Sequence, residues 1–241
     1  LWVDFFSDLR YDHVIEVGGG GAVKLDLSEP LRYLGVRGEP DPALLGELSA
    51  VADRLTQRVE PRWVWRAFCV KHSFDCEELE GSGLTLPGGM ARAMLADCER
   101  AAVLACTLGA GFEAMLRAEQ ARSMARAAML DACGSAWVEA GCDAAEAEIS
   151  ARFPGLYLTD RFSPGYGDLP LDLQRGICAA LDAPRRLGIQ VTDSLLLNPT
   201  KSVTALIGLS ARPQPARVRG CGHCPLAGSC QYRKEGTTCG A

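Results

Sequence analysis

Apolar positions recur along this chain at two spacings, one helical and one extended. Residues 42–60 carry Leu44, Leu45, Leu48, Val51, Ala52, Leu55 and Val59 at helical intervals, behind Asp41 as N-cap and Pro42 at the first helical position. Residues 63–70 are rich in aromatic and β-branched types and predict a strand. A helix is expected over 87–99 around Met90, Ala93 and Met94, then a short apolar strand over 102–108 ending at Gly109. Residues 112–149 read as largely helical, with Gly134 and Gly141 as candidate breaks. Beyond Pro154-Gly155 come a strand at 156–159, a turn-rich stretch at 163–168, and a helix over 170–181 stopped by Pro184. Strands are expected at 189–192 and 202–209. Helices and strands mix without regular strand–helix–strand alternation, which favours an α+β fold.

The two ends are patterned differently from this body. Residues 1–24 form a poorly patterned lead-in containing four glycines at 18–21. No Lys-Ser/Thr follows them and no G-x-G-x-x-G helix opens, so they read as a flexible turn and not a phosphate loop. Arg212-Pro213-Gln214-Pro215 reads as a linker between a body at 25–210 and a tail at 211–241.

At 241 residues, with 48% hydrophobic and 23% charged positions, the chain has material for a sizeable core and is not wholesale disordered. The longest apolar run, 101–112, is too short to span a bilayer and reads as a buried strand with its following turn. No signal peptide is visible before or after Asp4, Asp8 and Arg10, so a cytoplasmic location with no membrane partner is expected. The net charge of −5 argues against a general nucleic-acid binder. The tail stands apart: Arg212, Arg217, Arg219, Arg233 and Lys234 face one acid, Glu235. Glu77-Glu78 reads as part of a solvated loop.

The chain holds 11 cysteines. Cys69, Cys76, Cys98, Cys106, Cys133, Cys142 and Cys178 are scattered through the body and read as small core residues in a reducing compartment. Cys221, Cys224, Cys230 and Cys239 follow the pattern C-x2-C-x5-C-x8-C. Four thiolates gathered by glycine- and proline-rich turns suit tetrahedral zinc or an iron–sulfur cluster, and a metal would supply the folding free energy that so small a tail lacks. The spacing does not choose between the two. His223 lies in the tight turn between the first pair and is not expected to ligate.

One double motif carries a family likeness. Residues 161–170 read Arg-Phe-Ser-Pro-Gly-Tyr-Gly-Asp-Leu-Pro, and residues 192–204 hold Thr192, Asp193, Ser194, Pro199, Ser202, Val203 and Thr204 at fixed intervals. This resembles the activation (reactivation) domain of cobalamin-dependent methionine synthase, with its R-x-x-P-G-Y-x-x-x-P and T-E-S-x-x-x-x-P-x-x-S-V-S segments. Leu130-Asp131 and Trp137-Val138-Glu139 resemble that family's helix with an acidic residue near the ligand. Leu31 to Gly35 and Thr107 to Gly109 resemble segments of stand-alone relatives in anaerobic bacteria. Leu206 and Ile207 stand where the family often has aromatics.

The resemblance implies a twisted, mainly antiparallel sheet flanked by helices. It also implies an accessory protein that binds S-adenosylmethionine and docks on a separate corrinoid-binding methionine synthase. There, an electron from a flavodoxin- or ferredoxin-type donor and a methyl group from S-adenosylmethionine restore methylcobalamin. Glu139, Arg161, Pro164, Gly165, Tyr166, Ser202, Val203 and Thr204 are the expected ligand residues. Arg161 would fork onto the ligand carboxylate, and Glu139 or Asp131 would take its ammonium. Gly165 would admit close backbone approach, Tyr166 would offer a ring face, and 202–204 would offer backbone hydrogen bonds. The methionine-synthase catalytic domains and the D-x-H-x-x-G cobalamin signature are absent from this sequence. A rival reading is an iron–sulfur redox protein that activates another corrinoid methyltransferase through the cysteine tail. No Ser-His-Asp or Cys-His constellation marks a conventional enzyme.

Overall fold

The computed structural model describes residues 16–19, 23–215, 228, 229 and 234. β1 (Glu16–Gly19) takes in two of the glycines expected to form a flexible turn. α1 (Ser28–Tyr33) follows, then α2 (Pro42–Thr56), where the Asp41 carboxylate accepts from the Ala43 N–H at 2.7 Å and Pro42 opens the first turn. β2 (Arg62–His72) is longer than its apolar run predicts, and it leads into a hairpin of β3 (Cys76–Leu79) and β4 (Leu84–Pro87). Glu77 therefore lies on a strand, 2% exposed, with its carboxylate 2.6 Å from His72 Nδ1, and not on a solvated loop. Three polar or charged residues, Glu77, Glu78 and Thr85, interrupt the apolar pattern of this hairpin, which is why the sequence did not announce it.

α3 (Gly88–Leu95) is shorter than expected because the chain returns to extended form in β5 (Cys98–Thr107). The long helical stretch divides in two: α4 (Gly109–Gln120) and α5 (Met124–Arg152). The break falls at 121–123, where the Ser123 hydroxyl accepts from the Arg126 N–H and caps α5. Gly134 and Gly141 do not break α5. They are points of close approach: a Cβ at Gly134 would lie 2.3 Å from the Phe112 ring, and one at Gly141 2.5 Å from Pro61.

Past β6 (Tyr157–Leu158) come α6 (Leu173–Ala180) and α7 (Ala183–Leu187). Pro184 sits in the first turn of α7, where its missing N–H costs nothing. A two-stranded pair, β7 (Gln190–Val191) and β8 (Leu197–Asn198), precedes β9 (Ser202–Ser210).

All strand pairings are antiparallel, and the main sheet runs β4-β3-β2-β5-β9-β6, with β1 added against β2. Side chains alternate across it. Trp63, Trp65, Leu104, Cys106 and Ile207 face α2 and α5, while Val64, Phe68, Val103, Ala105 and Leu206 face the α3, α6 and α7 side. The result is the expected α+β architecture: one mainly antiparallel sheet with helices on both faces. α5 is the central element of one face, and its position decides where the candidate site forms. Among the described residues, no helix is long and apolar enough to cross a membrane.

Candidate ligand site

The rim of α5 that meets the β6–β9 edge of the sheet is polar. Asp131, Ser135, Glu139 and Asp143 follow one another at four-residue steps, so they share one side of the helix. Two cations from outside the helix bind this row. Lys201, in the loop entering β9, forms an ion pair with Asp131 at 2.9 Å and donates to the Ser135 hydroxyl at 2.8 Å. Arg161, just past β6, donates to Glu139 at 2.6 Å, to Asp143 at 3.2 Å and to Glu146.

Arg161 is 9% exposed. Burial works against its charge. The Cys142 sulfur and the carboxylates of Glu146, Glu139 and Asp143 more than offset that, so the guanidinium is held above the ordinary arginine range. Its two terminal nitrogens are both engaged with α5. The arginine thus orients Glu139; it is not a fork open to a ligand carboxylate.

A cavity of about 300 Å³ opens beside this row. Tyr33 from α1, Ser135, Val138 and Glu139 from α5, and Thr200, Lys201 and Ser202 at the mouth of β9 line it. The volume lies at the lower end for small-molecule sites. Glu139 uses one carboxylate oxygen on Arg161, and the other has no hydrogen bond to a described residue. Burial is the main reason that Tyr33 is held as a neutral phenol, aided by Glu29 and Glu139 and opposed by the Arg32 charge beside it. Ser202 donates to the Pro199 carbonyl at 2.7 Å and also pairs with the Thr107 hydroxyl, which fixes the cavity floor.

The chain adopts a known fold. Superposed on the crystal structure of the MetH reactivation domain bound to AdoHcy, it gives a TM-score of 0.66 over 94% of this chain and 87% of that one, at 16% sequence identity. The likeness fits the antiparallel sheet with helices on both faces. No family model and no curated protein matches the sequence.

Of the expected ligand residues, Glu139 and Ser202 line one cavity, and Arg161 adjoins it through Glu139. The turn at 163–168 is pinned elsewhere, against α3. The Asp168 carboxylate accepts from the Gly89 and Met90 N–H groups at 2.6 and 2.9 Å, and Gly167 abuts Met90. Pro164, Gly165 and Tyr166 do not line the cavity, although the Tyr166 side chain is exposed. Val203 packs toward the α5 core, and Thr204 is buried against Gln174 of α6 at 3.4 Å. Cys221, Cys224, Cys230 and Cys239 lie outside the described residues.

Sequence reasoning did not select Tyr33, Ser135 or Lys201. Each adjoined a segment it did select: Tyr33 within 31–35, Ser135 one turn before Glu139, and Lys201 beside Ser202. Cys133 and Cys178 are inert thiols. Burial pushes the Cys133 thiol up to about 12 and the Cys178 thiol up to about 11, so both stay protonated at neutral pH.

Proposed function

We propose that this protein binds S-adenosylmethionine in the cavity between α1, α5 and the start of β9, and serves the reductive remethylation of a separate corrinoid-dependent methionine synthase. One observation carries the reading. Glu139 and Ser202, named as ligand residues from two separate sequence segments, line the same cavity in a fold shared with a reactivation domain. Glu139 is fixed by Arg161 with one oxygen left over, which suits it to receive an ammonium group. The bound ligand supplies the methyl group. This chain's residues hold and orient it, while the corrinoid and the electron donor, of flavodoxin or ferredoxin type, come from partners. Pro164, Gly165, Tyr166, Val203 and Thr204 stand outside this cavity and carry no ligand contact in this reading. A zinc ion or iron–sulfur cluster on Cys221, Cys224, Cys230 and Cys239 belongs to the proposal as well, on the strength of their spacing.

The test is calorimetric titration of S-adenosylmethionine and S-adenosylhomocysteine into anaerobically purified protein, with Glu139→Ala alongside. Saturable binding, weakened at least tenfold by the substitution (about 1.4 kcal/mol), is the expected result. Absence of binding to the unsubstituted chain overturns the reading. Iron, zinc and acid-labile sulfide analysis of the same sample tests the tail.

A further inference from the structure

The cavity carries opposite charges on one wall. Lys201 Nζ sits against Ser135, and the Glu139 carboxylate lies one helical turn further along α5. Residues at that spacing have Cβ atoms about 5–6 Å apart. The two charges form no ion pair with each other: Lys201 is held by Asp131 and Ser135, Glu139 by Arg161. Lys201 is also largely buried, its side chain 15% exposed, and its ammonium is held by an ion pair with Asp131 and one hydrogen bond to Ser135. It keeps N–H donors to spare, and the second oxygen of Glu139 has no hydrogen bond to a described residue. A cation and an anion that line the same small cavity without pairing with each other, each with capacity left over, are complementary to a zwitterion.

We propose that Lys201 binds the carboxylate of the ligand's α-amino-acid head while Glu139 binds its ammonium, so that this pair selects ligands carrying an intact amino-acid end. Arg161 is then a positioning residue, acting through Glu139. This inference rests on the reading of the cavity as an S-adenosylmethionine site and adds a direction to it: the amino-acid head lies along α5, between Ser135 and Glu139. A mobile lysine on an open surface would not serve, because its ammonium would be hydrated and free to reorient. Here Asp131 and Ser135 fix it before the ligand arrives.

The test uses two probes, S-adenosylmethionine and decarboxylated S-adenosylmethionine, which differ only in the carboxylate. Each is titrated into unsubstituted protein, Lys201→Met and Lys201→Arg. The unsubstituted protein is expected to favour the carboxylate-bearing probe at least tenfold. Lys201→Met should abolish that preference, while Lys201→Arg should keep most of it. Equal affinity of the unsubstituted protein for the two probes overturns the inference even if Lys201→Met fails to fold, yet leaves the cavity as the ligand site. Full preference retained in folded Lys201→Met does the same. Failure of both probes to bind the unsubstituted protein overturns this inference and the underlying reading together.

Discussion

Arg161 donates to Glu139 at 2.6 Å from a position almost closed to water, while Glu139 itself is half exposed. The arginine is therefore anchored in the protein and the carboxylate is its outward face. Asp143 and Glu146 share the same guanidinium, so three acids converge on one buried cation. Removing that cation leaves mutually repelling carboxylates at the edge of α5.

Arg161→Ala is expected to destabilise the fold by about 2–4 kcal/mol, toward the lower end of what breaking a buried ion pair costs, because the acids are partly solvated. Ligand affinity should fall with it, since Glu139 loses its fixed orientation. Arg161→Lys restores the charge but not the planar fork, so stability should recover in part while affinity stays low. Denaturant titration and calorimetry on the two variants check both statements. An Arg161→Ala protein of unchanged stability would mean that α5 holds its acid row without the arginine.

Much of this arrangement was legible in the sequence. Asp41 and Pro42 announce the start of α2 because capping is local chemistry. The apolar strands β5 and β9 were found because strands buried on both faces carry uninterrupted apolar runs. The β3–β4 hairpin was missed because its burial depends on partners far along the chain, as with Glu77 and His72. The glycines of α5 misled for a related reason. Their value lies in what packs against them, Phe112 and Pro61, and neither is apparent from a local window. At the site, Glu139 and Ser202 were found through motif likeness. Lys201 was passed over because a lysine between Thr200 and Ser202 looks like a solvated one; only the tertiary contact with Asp131 and Ser135 shows it to be held.

Glu148 offers a separate test of how α5 is tied to the sheet. Its two carboxylate oxygens accept from the Trp63 and Trp65 indole N–H groups at 2.8 and 2.9 Å. Both tryptophans are buried, so losing the acceptor strands two donors away from water. Glu148→Leu is expected to cost about 2–4 kcal/mol, at 1–2 kcal/mol per unsatisfied donor. Glu148→Gln should fall between, because an amide offers one acceptor oxygen and turns an N–H toward the other indole. Chemical denaturation followed by tryptophan fluorescence reads both effects, and a Glu148→Leu protein as stable as the parent would show that water reaches the indoles.

The pinning of the 163–168 turn carries a pH signature of its own. Backbone hydrogen bonds from Met90 and then Gly89 hold the Asp168 carboxyl below its usual value of 3.8. A carboxyl whose folded-state value is depressed contributes stability above its unfolded value, and that contribution is lost as pH falls through the folded one. The contribution of Asp168 should therefore be complete at pH 5 and above and fade below about pH 4. Asp168→Ala should be less stable than the parent near neutrality, and the gap should narrow in acid as the parent's carboxyl takes up its proton. Urea denaturation of the pair from pH 7 down to pH 3 checks this. A gap independent of pH would mean that the aspartate serves the turn by its shape alone. In that case the close seating of Gly88 and Gly167 against their neighbours, and not the charge, would hold the 163–168 turn on α3.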